Sequence, residues 1–289
     1  FNFDFKQYND PVLVSSVDGV GTKLLIASMA NKHDTIGQCL VNHSVNDILA
    51  VGARPLFFLD YFATGKLDND ILVDVVKGFS KACKENSCVL IGGETAEMPG
   101  LYDGKKYDVS GTIVGVVDKE NMMPNRKVEN GDILVGLKST GLHTNGYSLA
   151  RKVLLEHFKV DEYIESLGST IGDELLKVHK SYFPILNNII NHKWIKSISH
   201  ITGGGLFENT MRVVDEGYSI DINWNAWEMN NIFKLIMDKG NVPIEDMRRT
   251  FNLGIGLVLI INKSKLDELK IHLNSFSEEC IVIGNIVSK

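Results

Sequence analysis

Between residues 11 and 117 the sequence alternates short β-rich apolar segments with long amphipathic ones. Apolar residues recur at the helical period in the amphipathic segments, the first of which has Asp34 as a candidate N-cap and Gly52 as its stop. The predicted strands span residues 12–17, 56–63, 89–91 and 107–117, and the predicted helices span residues 34–51 and 69–85. This alternation favours a unit in which helices pack on a sheet.

A polar segment at residues 118–131 separates this unit from the rest of the chain. It contains Pro124 and ends in the turn signal Asn130-Gly131. At 289 residues the chain is long enough for two domains of ~150 residues each, and we predict domains at 1–118 and 119–289. In the second domain strands are expected at 133–137, 197–201, 219–223, 254–261 and 280–287, and helices at 146–157, 172–183, 184–191, 225–239, 244–249 and 264–274.

Charge and composition exclude several classes of partner. The chain has 30 basic and 36 acidic residues, a net charge of -6, so no general positive field attracts nucleic acid. We find no apolar stretch of the ~18 to 20 residues that a membrane span needs. The four cysteines have neither zinc-site nor disulfide-framework spacing. We therefore expect a soluble, cytoplasmic protein with a small-molecule substrate.

The first motif with chemical potential follows the first predicted strand. It is an acidic residue, two glycines, a hydroxyl and a lysine, in the order Asp18-Gly19-Val20-Gly21-Thr22-Lys23. Glycines allow backbone N–H groups to approach phosphate oxygens, and a carboxylate can hold a metal that bridges to them. A tight turn with surface charges explains this short motif equally well.

Two more groups of acids and amides follow. On the 34–51 helix, His43 lies four residues before Asp47, and Asn42 four before Asn46, so each pair shares a face. A buried Asp47 would need a partner such as a metal, whereas a solvated face is the favoured alternative for His43. Glu94, in the loop at residues 92–100, adds a third carboxylate that could join Asp18 and Asp47 around Mg²⁺.

The second domain contributes two polar loops. His143 lies among hydroxyls, amides and glycines at residues 139–148, where an imidazole could transfer protons near neutral pH, although a lone histidine is more often structural. Residues 202–205, Thr-Gly-Gly-Gly, precede a predicted helix, where free N–H groups could hold a phosphate; a flexible turn is the alternative. Together the motifs indicate a metal-dependent protein that acts on phosphorylated small molecules.

These motifs closely resemble those of the phosphoribosylformylglycinamidine cyclo-ligases, or aminoimidazole ribonucleotide synthetases, of de novo purine biosynthesis. The matching segments are residues 14–23, 34–37, 55–61, 92–100, 107–111 and 202–205. The resemblance runs from about residue 11 to 287, and residues 92–100 followed by 107–117 are its most specific part. A wider ATP-dependent superfamily, including thiamine-monophosphate kinase and selenophosphate synthetase, shares the Asp18 loop and the Asn46-Asp47 pair more loosely.

The resemblance implies ATP-driven closure of formylglycinamidine ribonucleotide to aminoimidazole ribonucleotide, with release of ADP and phosphate. ATP would phosphorylate the amide oxygen, and the substrate's own amine would attack the resulting iminophosphate while Mg²⁺ neutralises the developing charge. The implied nucleotide contacts are Asp18, Gly19, Val20, Gly21, Thr22, Lys23, Asn46 and Thr95. The implied metal ligands are Asp18, Asp47 and Glu94. His143 and Lys23 are the implied catalytic residues, and Thr202, Gly203, Gly204 and Gly205 would hold the substrate's phosphate.

The implied fold is α+β with two domains. The amino-terminal sheet-plus-helices domain would pair with its twin across a homodimer to form a barrel, and an α/β domain would follow, with catalysis in the cleft between the two. Relatives carry a further glycine-rich segment before the position of Phe1, which nucleotide binding is expected to need, and a residue other than histidine at position 43. Two alternatives are another synthetase or kinase of this superfamily and a nonenzymatic nucleotide-binding subunit.

Overall fold

The computed structural model describes residues 1–124 and 127–289. Its strands are β1 Pro11–Gly19, β2 Arg54–Thr64, β3 Val89–Glu97, β4 Tyr107–Asp118, β5 Ile133–Lys138, β6 Tyr163–Ile164, β7 Ser169–Thr170, β8 Ile195–His200, β9 Tyr218–Ile222, β10 Ile255–Ile261 and β11 Ile281–Ser288. Its helices are α1 Lys23–Ala30, α2 Asp34–Ala50, α3 Asn69–Glu85, α4 Tyr147–His157, α5 Ile171–Leu175, α6 Phe183–Leu186, α7 Gly205–Met211, α8 Asn231–Gly240, α9 Ile244–Thr250 and α10 Leu266–Asn274.

The first domain is a four-stranded sheet with helices on one face. The strand order is β1-β4-β2-β3, and only the β2–β3 pair is parallel. Helix α2 packs on β1 and β4, and α3 packs on α2. The two helices approach closely at Gly37 and Gly78, where an added Cβ would lie 2.2 Å from the Val75 carbonyl oxygen and 2.6 Å from that of Asp34. Side chains larger than hydrogen would force the helices apart at these positions.

The second domain is a five-stranded sheet in the order β8-β10-β5-β11-β9, with a separate β6–β7 hairpin. All four neighbouring pairs are antiparallel. Strand β10 is buried along its whole length, as its run of seven apolar and glycine residues requires. The domain therefore contains both helices and strands, as predicted. Its strands are antiparallel, however, so it is an α+β domain and not the predicted α/β domain.

Helix α2 connects the two domains. Besides its own sheet it contacts β8 and α6 of the second domain, and 13 of its 17 residues are buried. Its polar residues consequently lie between the domains rather than on a solvated surface. This placement brings side chains of α2 to the ends of strands from both sheets.

Several predicted elements differ from the observed ones. Helix α1 was not expected, β3 continues to Glu97 instead of ending at residue 91, and α8 begins at Asn231 rather than near 225. The helix expected at 172–183 ends at Leu175, because the backbone of residues 179–182 bonds to side chains of α2 instead of to itself. Of the polar segment 118–131, residues 125 and 126 lie outside the described residues. Among the helices that are described, none combines the length and the hydrophobicity that crossing a membrane requires.

Candidate active site between the domains

Two asparagines of α2 fix the second domain against the first. Asn42 donates through Nδ2 to the carbonyl of His179 (2.7 Å), and Asn46 donates to the carbonyl of Lys180 (2.8 Å). The Oδ1 of Asn46 also accepts from the backbone N–H of Tyr182 (3.0 Å). Both asparagines are buried. They satisfy backbone groups of an irregular buried segment, which is the role of a structural amide, so Asn46 faces away from the nucleotide contact predicted for it.

His43 lies between the two acids that the sequence singled out. Its Nε2 is 2.5 Å from Oδ2 of Asp18 and 3.6 Å from Oδ2 of Asp47. Its Nδ1 is 2.6 Å from the hydroxyl of Thr144, which belongs to the second domain. His43 is only 5% exposed, so the interpretation of this position as a solvated face was wrong. The residues at 18 and 47 are therefore neighbours in space, linked by one imidazole.

A second imidazole reaches Asp47 from the other domain. His200, at the end of β8, places Nδ1 2.8 Å from Oδ1 of Asp47, and its Nε2 is 3.1 Å from Nε2 of His179. His179 is also 3.3 Å, through Nδ1, from the hydroxyl of Thr144. The hydrogen bonds thus form a continuous path from Asp18 to Asp47 through residues of both domains.

The charges of this cluster follow from burial and from these contacts. Burial alone would raise the pKa of Asp18, but the hydrogen bond and charge of His43 outweigh it and hold the pKa below its usual value. Burial would lower the pKa of His43, and the two carboxylates reverse this and raise it. The pKa of His200 is lowered, chiefly by burial, despite its bond to Asp47. Of the two imidazoles beside Asp47, His43 is thus the one whose pKa the carboxylates raise, and His200 is the one whose pKa burial lowers.

His143 lies behind this cluster and not at its surface. It is 1% exposed, its ring stacks on that of His179 at 4.0 Å, and its Nε2 accepts from the N–H of Thr140 (3.3 Å). Burial and the neighbouring positive groups hold its pKa well below the usual value. Its backbone has a φ of 63°, a left-handed conformation that costs energy in a residue with a side chain. A neutral imidazole at this position can reach a ligand only through its neighbours.

Lys23 does not reach the site that was predicted for it. The side chain is fully buried, and Nζ donates to the carbonyls of His143 (3.0 Å) and Lys177 (2.7 Å) and lies 3.1 Å from Sγ of Cys39. An ammonium group held by three internal partners is not available to a phosphate, and moving it would remove the 2.7 Å donor of the Lys177 carbonyl, whereas the His143 carbonyl also accepts from the hydroxyl of Tyr147 (3.2 Å). The predicted contact with nucleotide phosphates and the catalytic role of Lys23 are therefore not supported, and the residue joins α1 to the second domain.

A pocket of about 340 Å³ opens in front of the cluster. It is lined by Asp18, Gly19, Gly21, His43, Asp47, Thr144, Asn145 and Thr202. The first five of these residues come from the first domain and the last three from the second. Its volume lies in the ~300–1,000 Å³ range of small-molecule sites. The predicted Asp-Gly loop and the predicted Thr202 loop thus face each other across one cleft. In the Asp-Gly loop, Val20 is buried, and the hydroxyl of Thr22 lies 3.5 Å from the hydroxyl of Ser148.

Glu94 and Thr95 lie elsewhere in the first domain. Register pairs Asp18 with Gly111, Gly111 with Asp60, and Asp60 with Gly93. At about 4.8 Å per strand, the backbone next to Glu94 is roughly 14 Å from Asp18. Two carboxylates that far apart do not share one ion within a chain. The three predicted metal ligands consequently divide into a pair, Asp18 and Asp47, and a separate Glu94 on the edge strand β3.

The glycine-rich turn before α7 is held by one side chain. Asn209 donates through Nδ2 to the carbonyls of Thr202 (3.3 Å), Gly203 (3.1 Å) and Gly205 (2.7 Å). Gly204 and Gly205 have φ values of 96° and 70°, a conformation that favours glycine. The turn is therefore rigid and not a flexible connection, and it directs Thr202 toward the pocket.

Sequence reasoning missed three residues of the cluster, Thr144, His179 and His200. His200 ends a buried strand immediately before the Thr202 turn, and a polar residue at a strand end is the signal that could have found it. His179 lies within the helix predicted at residues 172–183, and nothing local distinguishes it from a surface residue. Its burial results from the asparagines of α2.

The donor set of the cluster determines which ions it can hold. Mg²⁺ commonly binds to one or two carboxylates and keeps its remaining positions for water and substrate phosphates. Asp18 and Asp47 provide such a pair at the wall of the pocket. The residues present therefore fit a magnesium ion that is shared with a phosphorylated ligand.

Comparison with known families assigns both domains. The model described as AIR synthase related protein, N-terminal domain, matches residues 6–117, and that described as AIR synthase related protein, C-terminal domain, matches residues 129–289. The two matches together cover most of the chain. They are separated by residues 118–128, which lie within the polar segment where the domain boundary is predicted.

Individual relatives cover nearly the whole chain. The phosphoribosylformylglycinamidine cyclo-ligase of Desulfotalea psychrophila is 46% identical over 98% of this chain and 80% of its own length. That of Thermoanaerobacter pseudethanolicus is 47% identical over 99% of this chain and 85% of its own length. Among solved structures, AaThiL complexed with AMPPCP and TMP has a TM-score of 0.66 at 18% identity, over 96% of this chain and 81% of that one.

Proposed function

The chain belongs to the AIR synthase related family, and we propose that the pocket between its two domains is the active site. The protein is an ATP-dependent cyclo-ligase that closes formylglycinamidine ribonucleotide to aminoimidazole ribonucleotide, with release of ADP and phosphate, in purine biosynthesis. The observation that supports the location is the meeting of the Asp18 loop and the Thr202 turn in one cleft. Two loops that can each bind a phosphate and that face each other suit a reaction between a nucleotide and a phosphorylated substrate.

We propose that the nucleotide's phosphates lie against Gly19, Gly21 and Thr22. Because the glycines have no side chains, the backbone N–H groups of this loop can approach phosphate oxygens. The complex of AaThiL with AMPPCP, a structure of the same fold, supports nucleotide binding by this architecture. Asp18 and Asp47 would hold Mg²⁺, which when bound neutralises charge on the transferred phosphoryl group.

The phosphate of the substrate is assigned to the opposite wall. Thr202 lines the pocket, and the rigid turn through Gly203, Gly204 and Gly205 presents backbone groups beside it. Asn145 supplies an amide on the same wall. Holding both reactants between two fixed walls lowers the entropic cost of bringing the amide oxygen to the phosphoryl group. In this scheme the substrate's amine then displaces phosphate from the iminophosphate.

Proton transfer and the outer residues complete the proposal. His143 remains the proposed proton-transfer group; its ring stacks on that of His179, which lies 3.3 Å from the hydroxyl of Thr144 at the pocket wall. Glu94 and Thr95 remain proposed metal and nucleotide contacts, from the edge strand β3. They would act at a part of the site distinct from the Asp18 and Asp47 pair.

We also propose that the chain forms a homodimer through the open face of its first sheet. Leu13 and Val17 on β1 are 63% and 65% exposed, and Leu59 on β2 and Val89 on β3 are partly exposed. Val17 and Leu59 both pair with Thr112 of β4, so they lie in one row across the sheet. Several exposed apolar side chains on one face of a sheet suit an interaction surface, and a second copy pairing sheet to sheet would cover them and build the predicted barrel. A cytoplasmic location is proposed from the purine pathway and from the four free cysteines.

An assay of the full-length protein with separate substrates tests the activity. Formylglycinamidine ribonucleotide, thiamine monophosphate and selenide are each offered with ATP and Mg²⁺, and ADP release is measured together with the mass of the product. We expect ADP and aminoimidazole ribonucleotide in equal amounts with the first substrate only. Turnover confined to thiamine monophosphate or selenide would overturn the assignment, and nucleotide binding without turnover would indicate a nonenzymatic subunit.

A further inference from the structure

The side chain of Lys23 joins the Asp-Gly loop to the opposite wall of the pocket. Lys23 directly follows Thr22, the last loop residue proposed to contact the nucleotide, and its Nζ donates to the carbonyl of His143 (3.0 Å). The next two residues, Thr144 and Asn145, line the pocket from the second domain. A single side chain therefore connects the loop on one wall to residues that form the other.

The backbone that Lys23 holds is strained. His143 has a φ of 63°, and a residue with a side chain keeps this left-handed conformation only where its surroundings fix it. Its carbonyl accepts two hydrogen bonds, one from Lys23 and one from the hydroxyl of Tyr147 (3.2 Å). Tyr147 belongs to the same domain as His143, whereas Lys23 belongs to the other domain. Lys23 is therefore the donor that makes the conformation of residues 143–145 depend on the first domain.

The burial of Lys23 is costly. Its side chain is 0% exposed, and its partners are two carbonyls and the sulfur of Cys39 rather than a carboxylate. Lysine is almost never fully buried without a paired charge, because a buried ammonium loses its solvation. The second carbonyl, that of Lys177 (2.7 Å), belongs to another segment of the second domain. The ammonium thus fixes two backbone segments of that domain, which an apolar side chain at this position could not do.

We propose that Lys23 is a positioning residue that transmits nucleotide binding from the Asp-Gly loop to residues 143–145. The proposal rests on the proposed function, from which it takes the place of the nucleotide. A nucleotide that orders residues 19–22 also orders the start of α1, from which Lys23 extends, and the ammonium then holds residues 143–145 facing the pocket. The other contact between these segments, from the Thr22 hydroxyl to that of Ser148, is 3.5 Å long and therefore weak.

Hydrogen–deuterium exchange of the full-length protein tests this coupling. Peptides that cover residues 139–148 are followed with and without a nonhydrolysable ATP analogue and Mg²⁺, and calorimetry verifies that the analogue binds. In the wild type the analogue should slow exchange of these peptides at least about fivefold, the lower end of coupling between two sites. In Lys23→Met, whose side chain is unbranched but has no donor, slowing should be confined to the Asp-Gly loop. Tyr147→Phe, the matched control, removes the other donor to the same carbonyl and should keep the wild-type response.

A second comparison needs no ligand. Lys23→Met alone should speed exchange of residues 139–148 at least about 10-fold, since hydrogen bonds to a charged group are stronger than neutral ones, while peptides of α3 should exchange as in the wild type. Unchanged exchange would refute the proposal even if no nucleotide bound, an outcome that would itself count against the proposed function alone.

Two results with the analogue bound would also refute the proposal. One is slowing of residues 139–148 that persists in Lys23→Met, because the nucleotide would then act on these residues without the ammonium. The other is absence of slowing in the wild type, a measurement that requires no variant to fold. Neither result depends on turnover, so the proposal and the proposed activity fail separately.

Discussion

The buried imidazoles of His143, His179 and His200 predict a steep loss of stability in weakly acidic solution. All three have a lowered pKa, first because of burial; neighbouring positive groups add to the effect at His143 and His179, while Asp47 partly opposes it at His200. In the unfolded chain each titrates near 6.5. Below that pH the unfolded chain binds protons that the folded chain excludes, so the free energy of unfolding falls as the pH falls. The decline ends once the pH is below the folded pKa values.

The slope follows from the number of histidines involved. Each can contribute at most about 1.4 kcal/mol per pH unit, so three contribute up to about 4 kcal/mol per unit below pH ~6.5. A domain has about 5–15 kcal/mol of stability in total, and two pH units could remove much of it. His43 does not offset this loss. Its pKa is raised, so its pairing with Asp18 is fully present below pH ~6.5 and is lost only as the pH rises through its folded pKa.

Urea unfolding of the metal-free protein between pH 7.5 and 5 measures this slope. His179→Gln should make it shallower by up to one histidine's share, about 1.4 kcal/mol per unit, because it removes one buried imidazole whose pKa is lowered. His157→Gln, at an exposed position outside the cluster, should leave the slope unchanged. A free energy of unfolding that stays constant from pH 6.5 to 5 in the wild type would refute the argument that these rings are buried and neutral.

Three further predictions concern the pocket and the sheet. Asp47→Asn should lower turnover by roughly 100-fold or more, the scale of losing one preorganised charged group, while Glu94→Gln, three strands away, should lower it less. Asp74→Asn on the surface of α3 is the control. Equal losses of turnover in all three variants would contradict the assignment. His143→Ala should slow ring closure by roughly 10² to 10⁴ with little change in nucleotide affinity if this residue moves a proton, and an unchanged rate would make it structural. Val17→Lys should yield monomers in analytical ultracentrifugation, because it places a charge in the proposed sheet interface, and a persisting dimer would place that interface elsewhere.

The local hydrophobic pattern correctly predicted those helices and strands whose buried face is set by their own sequence. Helix α3 occupies the predicted residues, from its Asp68 N-cap onward, because one apolar stripe faces α2 and the opposite face is polar. Strand β4 likewise matches to within one residue. The prediction of a helix at residues 176–182 was wrong because the conformation of this segment is decided by distant residues. Side-chain amides of α2, more than 130 positions away in sequence, bind its backbone and prevent the helix that its pattern predicts.

The site shows the same division. Asp18 and Asp47 could be paired in advance because each stands where a buried polar group needs a partner, whether at a strand end or on an apolar helix. Of the partners themselves, His43 lies one helical turn before Asp47 and so shares its face, whereas the contact of His200 with Asp47 depends on how the second domain packs on α2. Lys23 is the clearest case. Beside two glycines it resembles a phosphate ligand, yet the first turn of α1 directs its side chain inward, where the carbonyls of residues 143 and 177 hold it. The charge that the loop offers a phosphate is therefore smaller than its sequence indicates, and binding of an anion there depends on backbone N–H groups and on whichever cation Asp18 and Asp47 retain.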